Sequence, residues 1–188
     1  VEPAFAAKAY LMVTHSERES WVRVGSDEEI VEVAALAHEI WNEYFPSIIG
    51  QAQVDYMLGK FQSPEAIERQ IRRESYEYFL VGEPAARVGY FAIVPAPRER
   101  SMQLSKLYVR ERARGQGFGG RVIRWLESEC RARELVKLWL TVNKDNADSI
   151  RFYERMGFHT EAATVFDIGD GFVMDDFRMV KNIHPLRR

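Results

Sequence analysis

Cysteine is nearly absent from this sequence: Cys130 is the only one. No disulfide can form within the chain, and no thiolate-rich metal cage can be built. Long apolar runs are missing too, and none approaches the ~20 residues that cross a bilayer. Residues 1–20 carry neither the basic start nor the long apolar stretch of a secretion signal. Charge of one sign does not dominate: 26 Lys and Arg stand against 28 Asp and Glu, a formal net charge of -2. No basic patch interleaved with aromatics stands out, so neither nucleic acid nor membrane is an expected partner. The cytoplasm is the expected compartment. Internal repeats and low-complexity blocks are also lacking.

What is present suits one domain. The chain has 188 residues, 46% of them hydrophobic, enough to bury a core without staples. Residues 1–20 read as an N-terminal tail, 21–184 as the domain and 185–188 as a short C-terminal tail.

Trp21–Val24 reads as a strand. Ser26-Asp27-Glu28-Glu29 predicts a capped helix start, and Ile30, Val33, Ala37, Ile40, Trp41 and Tyr44 continue it at helical spacing. Pro46 is expected to end that helix. A second follows at about Gln51–Leu58, and Ser63-Pro64-Glu65 opens a third. Tyr76–Val81 and Arg87–Val94 read as strands, with Pro95 and Pro97 expected to stop the latter. Ser101–Val109 is strand, Gly117–Arg133 helix and Val136–Val142 strand. Asn146–Met156 is a short helix closed by Gly157, and two last strands flank Gly169-Asp170-Gly171. This order predicts an α/β or α+β fold, a sheet with helices on both faces. It identifies no activity.

Gly115, Gly117, Gly119 and Gly120 lie between a strand and a helix. Glycine lets backbone approach a ligand with no Cβ in the way, and several N–H groups can converge on one anion at the helix start. Arg112 and Arg114 add donors for phosphate oxygens. The segment has no Gly-Lys-Ser/Thr, which excludes a Walker A loop; Gly115, Gly117 and Gly120 fall at G-x-G-x-x-G spacing, but they lie late in the chain with no early first strand before them, which disfavours a dinucleotide fold. An anion cradle and a plain helix cap both satisfy these spacings.

Arg112-x-x-Gly115-x-Gly117 resembles the Q/R-x-x-G-x-G/A signature of the GNAT N-acetyltransferases. Leu107-Tyr108-Val109 resembles the strand end that precedes this loop in that family. Asn143, Asn146 and then Ile150–Phe158 resemble its next motif, N-x-x-A-x-x-F-Y-x-x-x-G-F, with Ala147 two residues early. The match covers about Gln103–Lys181 well and Trp21–Val94 in element order only. The resemblance implies a mixed, mostly antiparallel sheet with one splayed pair of parallel strands. It implies acetyl-CoA as co-substrate, with no metal, and allows a homodimer.

By the same resemblance, the pyrophosphate would lie on Arg112, Arg114, Gly115, Gln116, Gly117, Phe118, Gly119 and Gly120. The pantetheine arm would lie along Leu107, Tyr108 and Val109. Asn146, and less securely Asn143, would touch the cofactor; an asparagine before a helix is equally a cap. Tyr153 would donate a proton to the leaving thiolate. A phenol of pKa near 10 and a thiol near 8.5 allow this, though a core aromatic beside Phe152 and Phe158 would look the same in sequence. Many relatives carry a glutamate base where this chain has Gln103. Gln103 cannot be a base, so a water relay, Tyr108 or a carboxylate from the first helices is expected to serve.

Trp41, Tyr44, Tyr56 and Asp176 are candidate acceptor contacts, because aromatic faces with carboxylates suit a cationic amine. Trp41–Phe45 and Phe166–Lys181 are similar to segments of bacterial polyamine N-acetyltransferases. A small amine or polyamine is therefore the expected acceptor. A protein N-terminus or lysine, or a non-catalytic acyl-CoA-binding module, is the alternative.

Overall fold

A computed structural model describes residues 21–184; the stretches read as tails, 1–20 and 185–188, lie outside the described residues. β1 (Trp21–Arg23) leads into α1 (Asp27–Tyr44). The Ser26 side chain accepts from the Glu29 N–H at 3.3 Å, and the Glu29 carboxylate accepts from the Ser26 N–H at 3.0 Å. This reciprocal cap is the one the spacing predicts. Pro46 ends α1 but also opens a single turn, α2 (Pro46–Ile49), because a first helical turn has no use for the N–H proline lacks. α3 (Gln51–Phe61) and α4 (Pro64–Arg73) follow, α4 capped by Ser63.

β2 (Glu77–Val81), β3 (Gly89–Ala96) and β4 (Ser101–Val109) form an antiparallel meander. β3 runs past its expected stop: Pro95 pairs with Met102 and Ala96 with Ser101. The pairing of β2 with β3 ends at Ile93, so the proline stands where that flank has no ladder to interrupt. α5 (Phe118–Ala132) then crosses to β5 (Lys137–Asn143), followed by α6 (Ala147–Arg155), β6 (His159–Gly169) and β7 (Phe172–Asn182).

The seven strands form one sheet in the order β1-β2-β3-β4-β5-β7-β6, antiparallel except between β4 and β5. α1, α3 and α4 cover one face, where Val33, Ile40, Val54 and Ile67 meet Leu80, Tyr90 and Ala92. α5 covers the other, where Ile123 and Leu126 meet Phe79, Phe91, Leu138 and Leu140. Helices thus lie on both faces, as the element order predicts. Among the described residues no helix is long and apolar enough to cross a membrane.

One irregularity positions everything that follows. β4 and β5 pair only from Ser101–Gln103 to Lys137–Trp139. Just beyond, Leu104 faces Ile93 but Lys106 faces Ala92, which leaves Ser105 as an extra residue in β4. A bulge bends the strand that carries it. β5 meanwhile stays paired with β7 along its whole length. The two parallel strands therefore part after Gln103, giving the splayed pair.

Candidate active site

The parting of β4 and β5 opens into a cavity of about 890 Å³. Its walls are β4 from Gln103 to Val109, the end of β5, the start of α5, the inner side of α6 and the aromatic face of α1. A smaller cleft of about 370 Å³ among Ala34, His38, Asp55 and Leu58 lies between α1 and α3, away from the glycine segment.

The glycine segment sits at one end of this cavity. Gly115 and Gly117 adopt φ of 75° and 80°, a region that costs residues with a Cβ roughly 1–2 kcal/mol. A Cβ on Gly115 would meet nothing within 4 Å, so packing does not demand glycine there. Gly117 is the N-cap of α5, and no side chain caps that helix. Its first N–H groups are thus left to solvent or a ligand. Gly119 has a different reason: a Cβ there would come within 2.9 Å of Phe152 Cζ, so it lets α5 and α6 approach.

Gly115, Gly117, Phe118, Gly119 and Gly120 line the cavity, as does Arg114, while Arg112 and Gln116 are exposed outside it. Gln116 donates to the Arg112 carbonyl at 3.0 Å. Arg114 lies over the Tyr44 ring at 4.5 Å and donates to the Val109 carbonyl at 3.0 Å. That bond shows the Val109 peptide turned away from β3. Leu107, two residues earlier, presents its peptide groups to the same side, where β5 has already departed.

Asn146 is buried, and its Oδ1 accepts from the Ser149 N–H at 3.2 Å and from the Tyr44 hydroxyl at 2.8 Å. It caps α6, and its side chain also lines the cavity. Asn143 bonds the Asp145 N–H at 2.9 Å and lies beside it. Tyr153, on α6, packs against Phe152 and Phe158 with centroids 5.1 and 5.7 Å away and lines the cavity. Burial raises its phenol pKa above the usual value, so it stays protonated. Tyr108 is raised too, first by burial and then by the neighbouring Tyr153 and Asp176.

The acceptor candidates divide. Trp41 and Asp176 line the cavity. Tyr44 does as well, but at the glycine end, between Arg114 and Asn146. Tyr56 does not: its hydroxyl donates to the Ile168 carbonyl, and its ring packs on Phe172 at 5.1 Å. It fastens α3 to the β6–β7 hairpin instead of facing a ligand. The carboxylate expected from the first helices is also missing from the cavity. Asp55 is bonded to Gln51 at 2.7 Å, and Glu39 to Arg110 at 2.5 Å. Asp176, on β7, is buried in the cavity wall. Its carboxyl is raised by burial, against a hydrogen bond with Thr141. Among the described residues no cluster of three or more His, Cys, Asp or Glu is placed to hold a metal.

Lys106 is the residue the sequence reading passed over. It is buried, lines the cavity and bonds only Gln70 Oε1, at 3.3 Å, among the described residues. A lysine in a strand, Leu104–Val109, that is apolar but for Ser105 was the available signal.

Residues 34–158 match the acetyltransferase (GNAT) family. The chain belongs to this family. It is 26% identical over 148 residues to a probable N-acetyltransferase of Mycobacterium tuberculosis, covering 76% of this chain and 82% of the relative. Its fold is similar to the PaiA N-acetyltransferase of Thermoplasma acidophilum solved with coenzyme A, at TM-score 0.68 and 18% identity over 87% and 99% of the two chains. A spermidine N-acetyltransferase chimera from Vibrio cholerae is similar at TM-score 0.60 and 18% identity, over 86% and 94%. The GNAT chain is thus an acetyltransferase on a fold that includes CoA-bound and spermidine-acetylating examples.

Proposed function

We propose that the protein transfers an acetyl group from acetyl-CoA to a small primary amine by direct attack. The observation that carries this reading is the continuity of one cavity. It runs from the uncapped N-terminus of α5, past the unpaired edge of β4, to Tyr153 and Asp176. The cradle fits the group it would hold. Gly115 and Gly117 present backbone without a Cβ at positive φ, and the free N–H groups of α5 suit a pyrophosphate. Arg112 and Arg114 supply charge-assisted donors, and Leu107 and Val109 offer peptide groups to an amide-rich arm as an added strand would. Arg114 would have to exchange its bond to the Val109 carbonyl for one to the ligand.

The chemistry asks little beyond positioning. A free amine attacks the thioester carbonyl, a C–N bond forms and the C–S bond breaks. The amine sheds a proton and the sulfur leaves as a thiolate. Tyr153, kept protonated by burial, is the donor facing that sulfur. An amine of pKa ~10.4 costs about 4.6 kcal/mol to deprotonate at pH 7. Asp176 accepts the incoming ammonium and, directly or through water, its proton. Burial raises its pKa, which makes it a better base than an exposed aspartate.

The test is a thiol-release assay with acetyl-CoA against amines, amino acids, aminoglycosides and peptides, run beside calorimetry with CoA. CoA binding together with turnover of a small amine is expected. Tight CoA binding with no turnover of any amine would favour a non-catalytic binding module, and no CoA binding would sink the reading altogether.

A further inference from the structure

The cavity holds two opposite charges in separate walls. Asp176 stands on β7, and Lys106 projects from β4 toward α4. Lys106 is only 7% exposed. Its ammonium lies 4.9 Å from the centre of the Tyr76 ring and 5.4 Å from that of Tyr78. Its one hydrogen bond, to Gln70, is long at 3.3 Å, and Gln70 Oε1 also accepts from the Tyr78 hydroxyl. Among the described residues, two of its three N–H donors are therefore unmet. Glu74 is, among the described residues, the carboxylate whose charge reaches it, and that group is held by Arg69 at 3.0 Å.

A buried lysine without an acid partner is costly. Burial lowers its pKa to about 7, so an arriving anion can draw the proton on and complete an ion pair. Packing does not call for a lysine here, since its neighbours on this face, Tyr90 and Ala92, are apolar or aromatic. The cavity is thus built for a molecule with both charges. An all-cationic polyamine would set like charge against Lys106.

We propose that the acceptor is an amino carboxylic acid, its carboxylate received by Lys106 and its amine directed to Asp176 and the thioester. This deepens the function proposed above and rests on it. A carboxylate fits better than a phosphate because this end of the cavity offers one ammonium and the amide N–H of Gln62, that of Gln70 being held by the Phe61 carbonyl. It has no arginine fork for a dianion.

The experiment pairs each proteinogenic amino acid with its decarboxylated amine, with spermidine as the all-cationic reference. Wild type and Lys106→Met are compared by thiol release and by calorimetry on CoA-saturated protein. Met fills a similar volume without a charge, so the variant is expected to fold; its thermal melt and CoA affinity check this. Wild type is expected to favour the acid of at least one pair by about tenfold or more in kcat/KM. Lys106→Met is expected to remove that preference through KM, with a much larger rise in KM for the acid than for its plain amine. Turnover of plain amines or spermidine with no preference for a carboxylate would overturn this inference alone. An equal loss for both members of a pair would do the same. No turnover of any amine would instead overturn the acetyl-transfer reading beneath it.

Discussion

Tyr153 packs its ring against Phe152 and Phe158 and lines the cavity with the same side chain. The two roles separate in Tyr153→Phe, which keeps the ring and removes the hydroxyl. Its kcat is expected to fall by about 10²-fold or more, with CoA affinity nearly unchanged by calorimetry; undiminished turnover would remove Tyr153 as the proton donor. Asp176 has a signature in stability. Its folded pKa is raised, so at pH values above the ordinary aspartate range the unfolded chain holds fewer protons than the folded one. Stability contributed here falls as pH rises. Asp176→Asn is therefore expected to be no less stable than wild type at pH 7, with any gain vanishing in acid, while its acceptor KM rises. Lys106 has the opposite sign. Its pKa is lowered to about 7 from 10.5, so between those values the unfolded chain holds the extra proton. Stability there rises with pH, and a melt series from pH 7 to 10 is expected to lose that rise in Lys106→Met.

At the scale of elements, the loop and the helix that follows it act together. Gly117 is both the N-cap of α5 and a residue at φ 80°. Gly117→Ala is expected to cost roughly 1–2 kcal/mol, read in denaturant melts, and to weaken CoA binding as the first N–H groups of α5 shift. A variant with wild-type CoA affinity would show that the loop's shape is not what holds the anion. α1 and the start of α4 were legible almost to the residue, because Ser26 and Ser63 are strong caps and the apolar spacing behind Ser26 is regular. Pro95 was misread because whether a proline ends a strand depends on how far the neighbouring strand extends. The place of Tyr56 is not legible from sequence because its partner, the Ile168 carbonyl, lies 112 residues away.

The whole molecule is a sheet joined at its middle by a short seam. β1–β4 and β5–β7 meet in pairings confined to Ser101–Gln103 and Lys137–Trp139. A ligand that lies along the open edge of β4 adds contacts across that seam. CoA at 100 times its Kd is expected to stabilise the fold by about 2.7 kcal/mol. Hydrogen exchange is expected to slow most at Leu107, Val109 and the start of α5. Protection spread evenly over the sheet would argue that CoA binds elsewhere.

The sequence by itself determined the family, the glycine segment and the aromatic of α6, because these are local: each needs only a few residues at fixed spacing. Only the tertiary structure decided which charges share the cavity. The Ser105 bulge swings Lys106 under α4, and β7 brings Asp176 beside β5, so two residues 70 positions apart face one space. No spacing rule records that meeting, since it depends on how strands pair across the sheet and on which groups that pairing strips of water.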